Sequence, residues 1–144
     1  MNALGNETMT TKAADSRPLK VLVAEDERDI RELVGFTLTF GGYQVIEVSD
    51  GRAAVEKAQE VLPDLIILDV RMPKMSGYEA CQALKSIGKT KQIPVVFLSA
   101  KGQEVEVKQG LEVGAAAYIL KPFAPNELLD QVAKILQTSK ERGG

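Results

Sequence analysis

The sequence predicts an α/β fold: a single doubly wound domain, (βα)5, with five parallel strands and five helices. Short apolar, β-branched runs recur along the chain, as in strands that helices cover on both faces. Segments with apolar residues at helical spacing separate these runs. Strands and helices that alternate in this way form a parallel sheet with helices on both faces.

Four of the predicted strands are continuous apolar runs, and one strand alternates. The continuous runs are Leu19–Ala24, Leu65–Leu68, Ile93–Leu98 and Ala117–Leu120. We expect these four to be covered on both faces of the sheet. The second strand, Tyr43–Val48, alternates apolar and polar residues, which is typical of an edge or half-exposed strand.

Five helices are predicted between and after these strands. Gly41-Gly42 ends the first, Ser49-Asp50-Gly51 opens the second, and Pro63 stops the second. The fourth has the poorest helix propensity, since glycines lie near its ends. The predicted ranges are Asp29–Phe40, 51 to about 61, Tyr78–Ile87, Val105–Val113 and Pro125–Leu136.

Length and composition predict one domain of ordinary globular character. The chain has 144 residues, 44% of them hydrophobic and 26% charged. We assign residues 18–138 to the domain. Residues 1–17 are polar, small and aperiodic, so we expect a flexible arm there, and residues 139–144 are expected to form a frayed tail.

Composition also argues against several classes of function. The net charge is −2 with no basic excess, so we expect no direct nucleic-acid binding by this chain. We expect no membrane association, since no apolar run is long enough and the N-terminus resembles no signal peptide. The single cysteine, Cys81, fits a reducing, cytoplasmic location. The absence of histidine excludes Ser-His-Asp catalysis and histidine-ligated zinc.

Polar groups follow the central strands at the edge where ligands of open parallel sheets bind. They are Glu25-Asp26 after strand one, Asp69 ending strand three, Ser99 ending strand four and Lys121 after strand five. Three clustered carboxylates repel one another unless a cation is present, and oxygen ligands of this kind suit Mg²⁺. Asp69 could then accept a phosphoryl group as an acyl phosphate, with the ion and Lys121 neutralising its charge.

Four segments of the chain resemble the signature blocks of response-regulator receivers of two-component signalling. The segments are VLVAEDE, PDLIILDVRMPKMSGYE, IPVVFLSA and AAAYILKPF, and the resemblance covers roughly Leu19 to Leu136. It implies a flavodoxin-like sheet with the strand order 2-1-3-4-5. It also implies a signalling switch rather than an enzyme, cytoplasmic, with a sensor histidine kinase or phosphotransfer protein as phosphoryl donor.

The resemblance further implies the roles of individual residues. Asp69 is expected to accept the phosphoryl group, Lys121 to bind it, and Ser99 to act with Tyr118 as the switch pair. The switch would alter a surface formed by the fourth helix, fifth strand and fifth helix, which binds a downstream protein or a second copy of the chain. The Lys121–Pro122 peptide bond is expected to be cis.

The same resemblance implies the ligands of a Mg²⁺ ion. Asp26 and Asp69 are expected to bind it directly, Glu25 through water, and Arg71 through its backbone carbonyl. The acidic pair is Glu-Asp here rather than Asp-Asp. The side chains of Arg71 and Lys101, two positions after the acceptor and the switch residue, are expected to shield the phosphoryl group from hydrolytic water.

Other interpretations compete with this one. Taken singly, Asp26 could be a helix cap, Asp69 a turn residue and Lys121 a solvated lysine. A phosphatase with an aspartate nucleophile would need an acid two positions later, where Arg71 follows Asp69, and a nucleotide site would need glycines where AEDERD stands. A degenerate receiver that only binds proteins, without phosphorylation, remains the main alternative.

Overall fold

Strands and helices alternate throughout the part of the chain that the computed structural model describes, residues 17–100 and 102–143, with backbone alone from residue 140. The strands are β1 (Lys20–Ala24), β2 (Gln44–Val48), β3 (Leu65–Asp69), β4 (Val95–Ser99) and β5 (Ala117–Leu120). The helices are α1 (Arg28–Phe40), α2 (Gly51–Val61), α3 (Gly77–Ser86), α4 (Glu104–Glu112) and α5 (Pro125–Gly143). The predicted arm, apart from residue 17, lies outside the described residues.

The five strands form one parallel sheet in the order β2-β1-β3-β4-β5, which confirms the predicted fold and strand order. Pairing sets Ala24 beside Leu68 and Asp69 beside Leu98. The residues that follow β1, β3, β4 and β5 are therefore brought to one edge of the sheet, on either side of the point where the strand order reverses.

Each face of the sheet carries its own hydrophobic core because strand side chains alternate between the faces. Helices α2, α3 and α4 cover one face, and α1 and α5 cover the other. Buried core residues on the first face include Leu22, Ala54, Ile66, Leu68, Cys81, Leu84 and Phe97. Those on the second include Val21, Val34, Leu38, Leu65, Ile67, Leu98, Leu128 and Val132.

The predicted helix boundaries at α1 and α2 are close to the observed ones. The Asp50 side chain accepts a hydrogen bond from the Ala53 N–H at 2.8 Å and so caps α2. Leu62 ends that helix in the left-handed region, at φ 47°, directly before Pro63. No helix in the described part of the chain combines the length and apolar character needed to cross a membrane.

Two predictions about individual elements were wrong. Helix α5 continues to Gly143, beyond the predicted end at Leu136, because residues 137–142 contain no glycine or proline to stop it. Strand β5 is not covered on both faces: Tyr118 and Leu120 are 51% and 52% exposed, although Ile119 between them is buried. The reason is its edge position, where neighbouring elements cover only one side.

Candidate functional site

Three carboxyl groups meet at the carboxyl edge of the central strands. Asp69 ends β3 and is buried, Glu25 directly follows β1 and is fully buried, and Asp26 is exposed. Each offers an oxygen atom, and the three atoms lie within 4.8 Å of one another. The prediction that these residues cluster is confirmed, and Asp26 is no helix cap, since Glu27 occupies that position in front of α1.

Lys121 joins two of these groups from the end of β5. Its Nζ lies 3.0 Å from Oδ1 of Asp69 and 3.4 Å from Oε1 of Glu25. The side chain is only 15% exposed, so it is no solvated surface lysine. The Lys121–Pro122 bond is cis, as expected. One ammonium among three carboxylates leaves the site with an excess of negative charge.

Burial dominates the ionisation of the acidic groups. Removal from water raises the pKa of Glu25 to about 7, and the Asp69 charge adds to this shift, while the Glu27 N–H and Lys121 oppose it. Burial likewise raises the pKa of Asp69, against the hydrogen bond and charge of Lys121. Burial by itself would lower the pKa of Lys121, but its contacts with Asp69 and Glu25 outweigh burial and raise it.

The loop after Asp69 is held close to the strand end. Gly77 opens α3, and a Cβ there would collide with the carbonyl oxygen of Asp69. The Ser76 side chain accepts from the Glu79 N–H at 3.1 Å, while Glu79 accepts from the Ser76 N–H at 2.9 Å, a reciprocal cap. A glycine and a capping box therefore fix the path of the chain beside the candidate acceptor.

Neither predicted switch side chain is hydrogen-bonded to the cluster within the described residues. The Ser99 hydroxyl is buried and donates to the Ala100 carbonyl at 3.2 Å. Ser99 is linked to Lys121 through the main chain, because its carbonyl accepts from the Lys121 N–H at 2.6 Å. The Tyr118 ring is half-exposed on β5.

Arg71 directs its side chain at helix α4. Its Nη2 donates to Oε2 of Glu106 at 3.0 Å, a pair that links the loop after β3 to α4. The carbonyl oxygen of Arg71 accepts no hydrogen bond from the described residues. Lys101 lies outside the described residues, so shielding of a phosphoryl group by these two side chains stays a prediction.

One contributor to the site was missed in the sequence. Arg31 of α1 contacts the carbonyl oxygens of Glu25 and Asp26. In the sequence it is one charged residue among several in AEDERDIREL, and no local pattern sets it apart from Arg28, which is mostly exposed.

Comparison with known proteins agrees with this geometry. Residues 21–133 match the family described as the response regulator receiver domain. The chain belongs to that family. The receiver is 43% identical over 118 residues to the phosphate regulon transcriptional regulatory protein PhoB of Escherichia coli (strain K12), an alignment covering 82% of this chain and 52% of PhoB. It is 42% identical over 121 residues to the alkaline phosphatase synthesis transcriptional regulatory protein PhoP of Bacillus subtilis (strain 168), covering 84% and 50%.

Solved structures give the same picture. The receiver superposes on the chemotaxis response regulator CheY4 of Vibrio cholerae with a TM-score of 0.77 at 36% identity, covering 82% of this chain and 98% of CheY4. The receiver domain of NtrX from Brucella abortus gives a TM-score of 0.77 at 28% identity, with the same two coverages. The chain spans about half the length of the curated relatives it matches. Receivers of this family are signalling switches rather than classical enzymes.

Proposed function

We propose that this receiver accepts a phosphoryl group on Asp69 from a phosphohistidine of a sensor histidine kinase or phosphotransfer protein. The observation that carries the proposal is the setting of Asp69: a lysine ammonium 3.0 Å from its Oδ1, with Glu25 and Asp26 beside it. The donor histidine must lie outside the given sequence, since that sequence contains none.

The ligand set around Asp69 suits Mg²⁺. Three carboxylates and the Arg71 carbonyl are hard oxygen donors, which Mg²⁺ prefers. We infer that Asp26 and Asp69 would bind the ion directly, Glu25 through water, and Arg71 through its carbonyl. When bound, the ion would neutralise charge on the transferring phosphoryl group.

In the transfer, a carboxylate oxygen of Asp69 forms a bond to phosphorus as the phosphorus–nitrogen bond of the donor breaks. The imidazole leaves with that electron pair and takes up a proton. Lys121, already at Asp69, would pair with a phosphoryl oxygen. The Ser99 hydroxyl would turn from the Ala100 carbonyl to donate to another phosphoryl oxygen.

We infer that this rotation of the Ser99 hydroxyl starts a switch in which Tyr118 takes part. Moving the Ser99 hydroxyl moves the loop before α4 and opens space for the Tyr118 ring. Exposed apolar side chains lie on α4 and β5, among them Val105 and Leu120. We infer that the α4–β5–α5 surface then binds a downstream protein or a second copy of the receiver.

The switch is tested by comparing backbone amide shifts with and without a bound phosphate analogue such as beryllium fluoride. We expect changes across residues 99–121, concentrated at the Ser99 loop and around Tyr118. Identical shifts in the two forms would contradict the switching role while leaving the acceptor role open to its own test.

The acceptor role is tested by incubation with acetyl phosphate and Mg²⁺, followed by intact-mass measurement. We expect one phosphoryl group on the wild-type receiver, and none with Asp69→Asn or after chelation of Mg²⁺. Asp130→Asn, at an exposed residue of α5, serves as the matched control and should be labelled normally. An unlabelled wild-type protein that still binds a partner would instead support a degenerate, phosphorylation-independent receiver.

A further inference from the structure

The side chain of Arg31 is bound to the main chain of the acidic pair. Its Nη1 donates to the Glu25 carbonyl at 2.8 Å and lies 3.5 Å from the Asp26 carbonyl oxygen. The side chain is only 19% exposed, against 78% for Arg28 three residues earlier on the same helix. One guanidinium therefore contacts the backbone of both residues.

The other side of the guanidinium is held by the edge strand. Nε of Arg31 lies 3.8 Å from Oε1 of Glu47 on β2. Gly35, one turn further along α1, provides the space for that carboxylate, since a Cβ at residue 35 would collide with it. A planar guanidinium can serve an anion and a carbonyl oxygen at once, each from a different nitrogen.

Helix formation does not by itself explain an arginine at this position. A cation near the start of a helix faces the positive end of the helix dipole, and Glu27 makes no side-chain cap there. Two other hydrogen bonds hold the loop between β1 and α1. The Glu25 N–H donates to the Val48 carbonyl at 3.2 Å, and the Glu27 N–H donates to Oε2 of Glu25 at 3.1 Å. Arg31 adds the contacts to the two carbonyl oxygens.

We propose that Arg31 is a positioning residue for metal binding: it fixes the main chain of Glu25 and Asp26 so that their carboxylates are arranged around a divalent cation. The inference rests on the proposed function, since it requires the acidic pair to bind Mg²⁺. Groups that orient metal ligands from outside typically change metal affinity 10–100-fold when removed. An effect of this size is measurable without any phosphorylation.

Positioning and simple charge predict opposite results. Removing a cation from the neighbourhood of the site reduces repulsion of Mg²⁺ and by itself strengthens binding. Loss of positioning weakens binding instead. Arg28→Met removes the same charge from the same helix, but among the described residues the Arg28 side chain pairs with Glu32 and not with the acidic pair, so this variant measures the charge effect without a change in positioning.

The test is isothermal titration of Mg²⁺ into wild-type receiver and the Arg31→Met, Arg31→Lys and Arg28→Met variants, with thermal unfolding as a check on folding. We expect the dissociation constant to rise about tenfold for Arg31→Met, to rise less for Arg31→Lys, and to stay equal or fall slightly for Arg28→Met. Amide exchange of the metal-free forms gives a second readout, in which Arg31→Met should speed exchange at Glu27. Should Arg31→Met fail to fold, the comparison of Arg31→Lys with Arg28→Met still decides the sign.

The possible failures are separable. A wild-type receiver that binds no Mg²⁺ would overturn the proposed metal site and the role of Arg31 with it. Wild-type binding that is unchanged or tightened in folded Arg31→Met would overturn the positioning role alone.

Discussion

Glu25 shows the cost of burying a carboxyl group beside the proposed metal-binding site. It is fully buried, and burial raises its pKa to about 7 from an ordinary 4.5. Between these values the folded receiver keeps a proton that the unfolded chain releases. The contribution of protonated Glu25 to the free energy of unfolding is therefore fully present below pH 4.5 and is lost as the pH rises through about 7.

Metal-free receiver should accordingly lose stability relative to Glu25→Gln as the pH rises from 5 to 8. At about 1.36 kcal/mol per pKa unit, the free energy of unfolding of the wild type falls relative to that of Glu25→Gln by at most about 3 kcal/mol. Denaturant unfolding with a chelator present measures it, and exposed Glu56→Gln on α2 is the control. A difference that is independent of pH, or that grows in favour of the wild type, would contradict the raised pKa.

Lys121 forms ion pairs with two of the carboxylates that a divalent cation would need as ligands. Its ammonium, 3.0 Å from Oδ1 of Asp69, repels an incoming cation. The ammonium must therefore move away from Asp69 in part when the cation binds. We expect Lys121→Met to bind Mg²⁺ several-fold more tightly, by Coulomb's law, and yet to accept phosphoryl groups more slowly. Lys108→Met, at an exposed residue of α4, should change neither, whereas weaker Mg²⁺ binding in Lys121→Met would show that the lysine supports the ligand arrangement.

At the scale of elements, helix α4 packs on β4 through a glycine, Gly110, which lies against the side chain of Phe97. Gly110 is buried, and a Cβ there would collide with the ring of Phe97, which is itself fully buried. The helix can therefore lie close to the sheet only because residue 110 is a glycine. Glu106, one turn earlier on α4, pairs with Arg71 of the loop after β3, a largely solvent-accessible contact that contributes about 0–1 kcal/mol at most.

Gly110→Ala should lower the free energy of unfolding by up to about 2 kcal/mol, because overpacking at Phe97 exceeds the gain of about 1 kcal/mol in helix propensity. The amide shifts of α4 should move in the same variant. Gly88→Ala is the control, since nothing lies within 4 Å of a Cβ built there. Equal or greater stability of Gly110→Ala in denaturant unfolding would show that α4 is free to move away from the ring.

At the scale of the whole molecule, the alternation of strands and helices predicted most of the fold and the central residues of the site. Apolar runs alternating with helical stripes indicate a parallel sheet, and the carboxyl ends of its strands bring Glu25, Asp69 and Lys121 together. The strand order came from the resemblance to receivers, since alternation alone allows several orders.

The contacts that could not be predicted join residues with no shared local pattern. Arg71 and Glu106 are 35 positions apart, and either would be interpreted as a solvated charge. A serine hydroxyl has several acceptors within reach, so nothing in the sequence indicates that Ser99 donates to Ala100. The exposure of Tyr118 was missed because an apolar run looks the same in a central strand and at an edge.

The most direct measurement of the acceptor role is to find the phosphorylated residue itself. Receiver phosphorylated by acetyl phosphate and Mg²⁺ can be reduced with borohydride, which converts an aspartyl phosphate to homoserine, and then digested and sequenced by mass spectrometry. We expect homoserine at position 69 and at no other aspartate, with none in Asp69→Asn or in unphosphorylated protein. Homoserine at Asp26, or at several aspartates equally, would contradict the assignment of Asp69 as the phosphoryl acceptor.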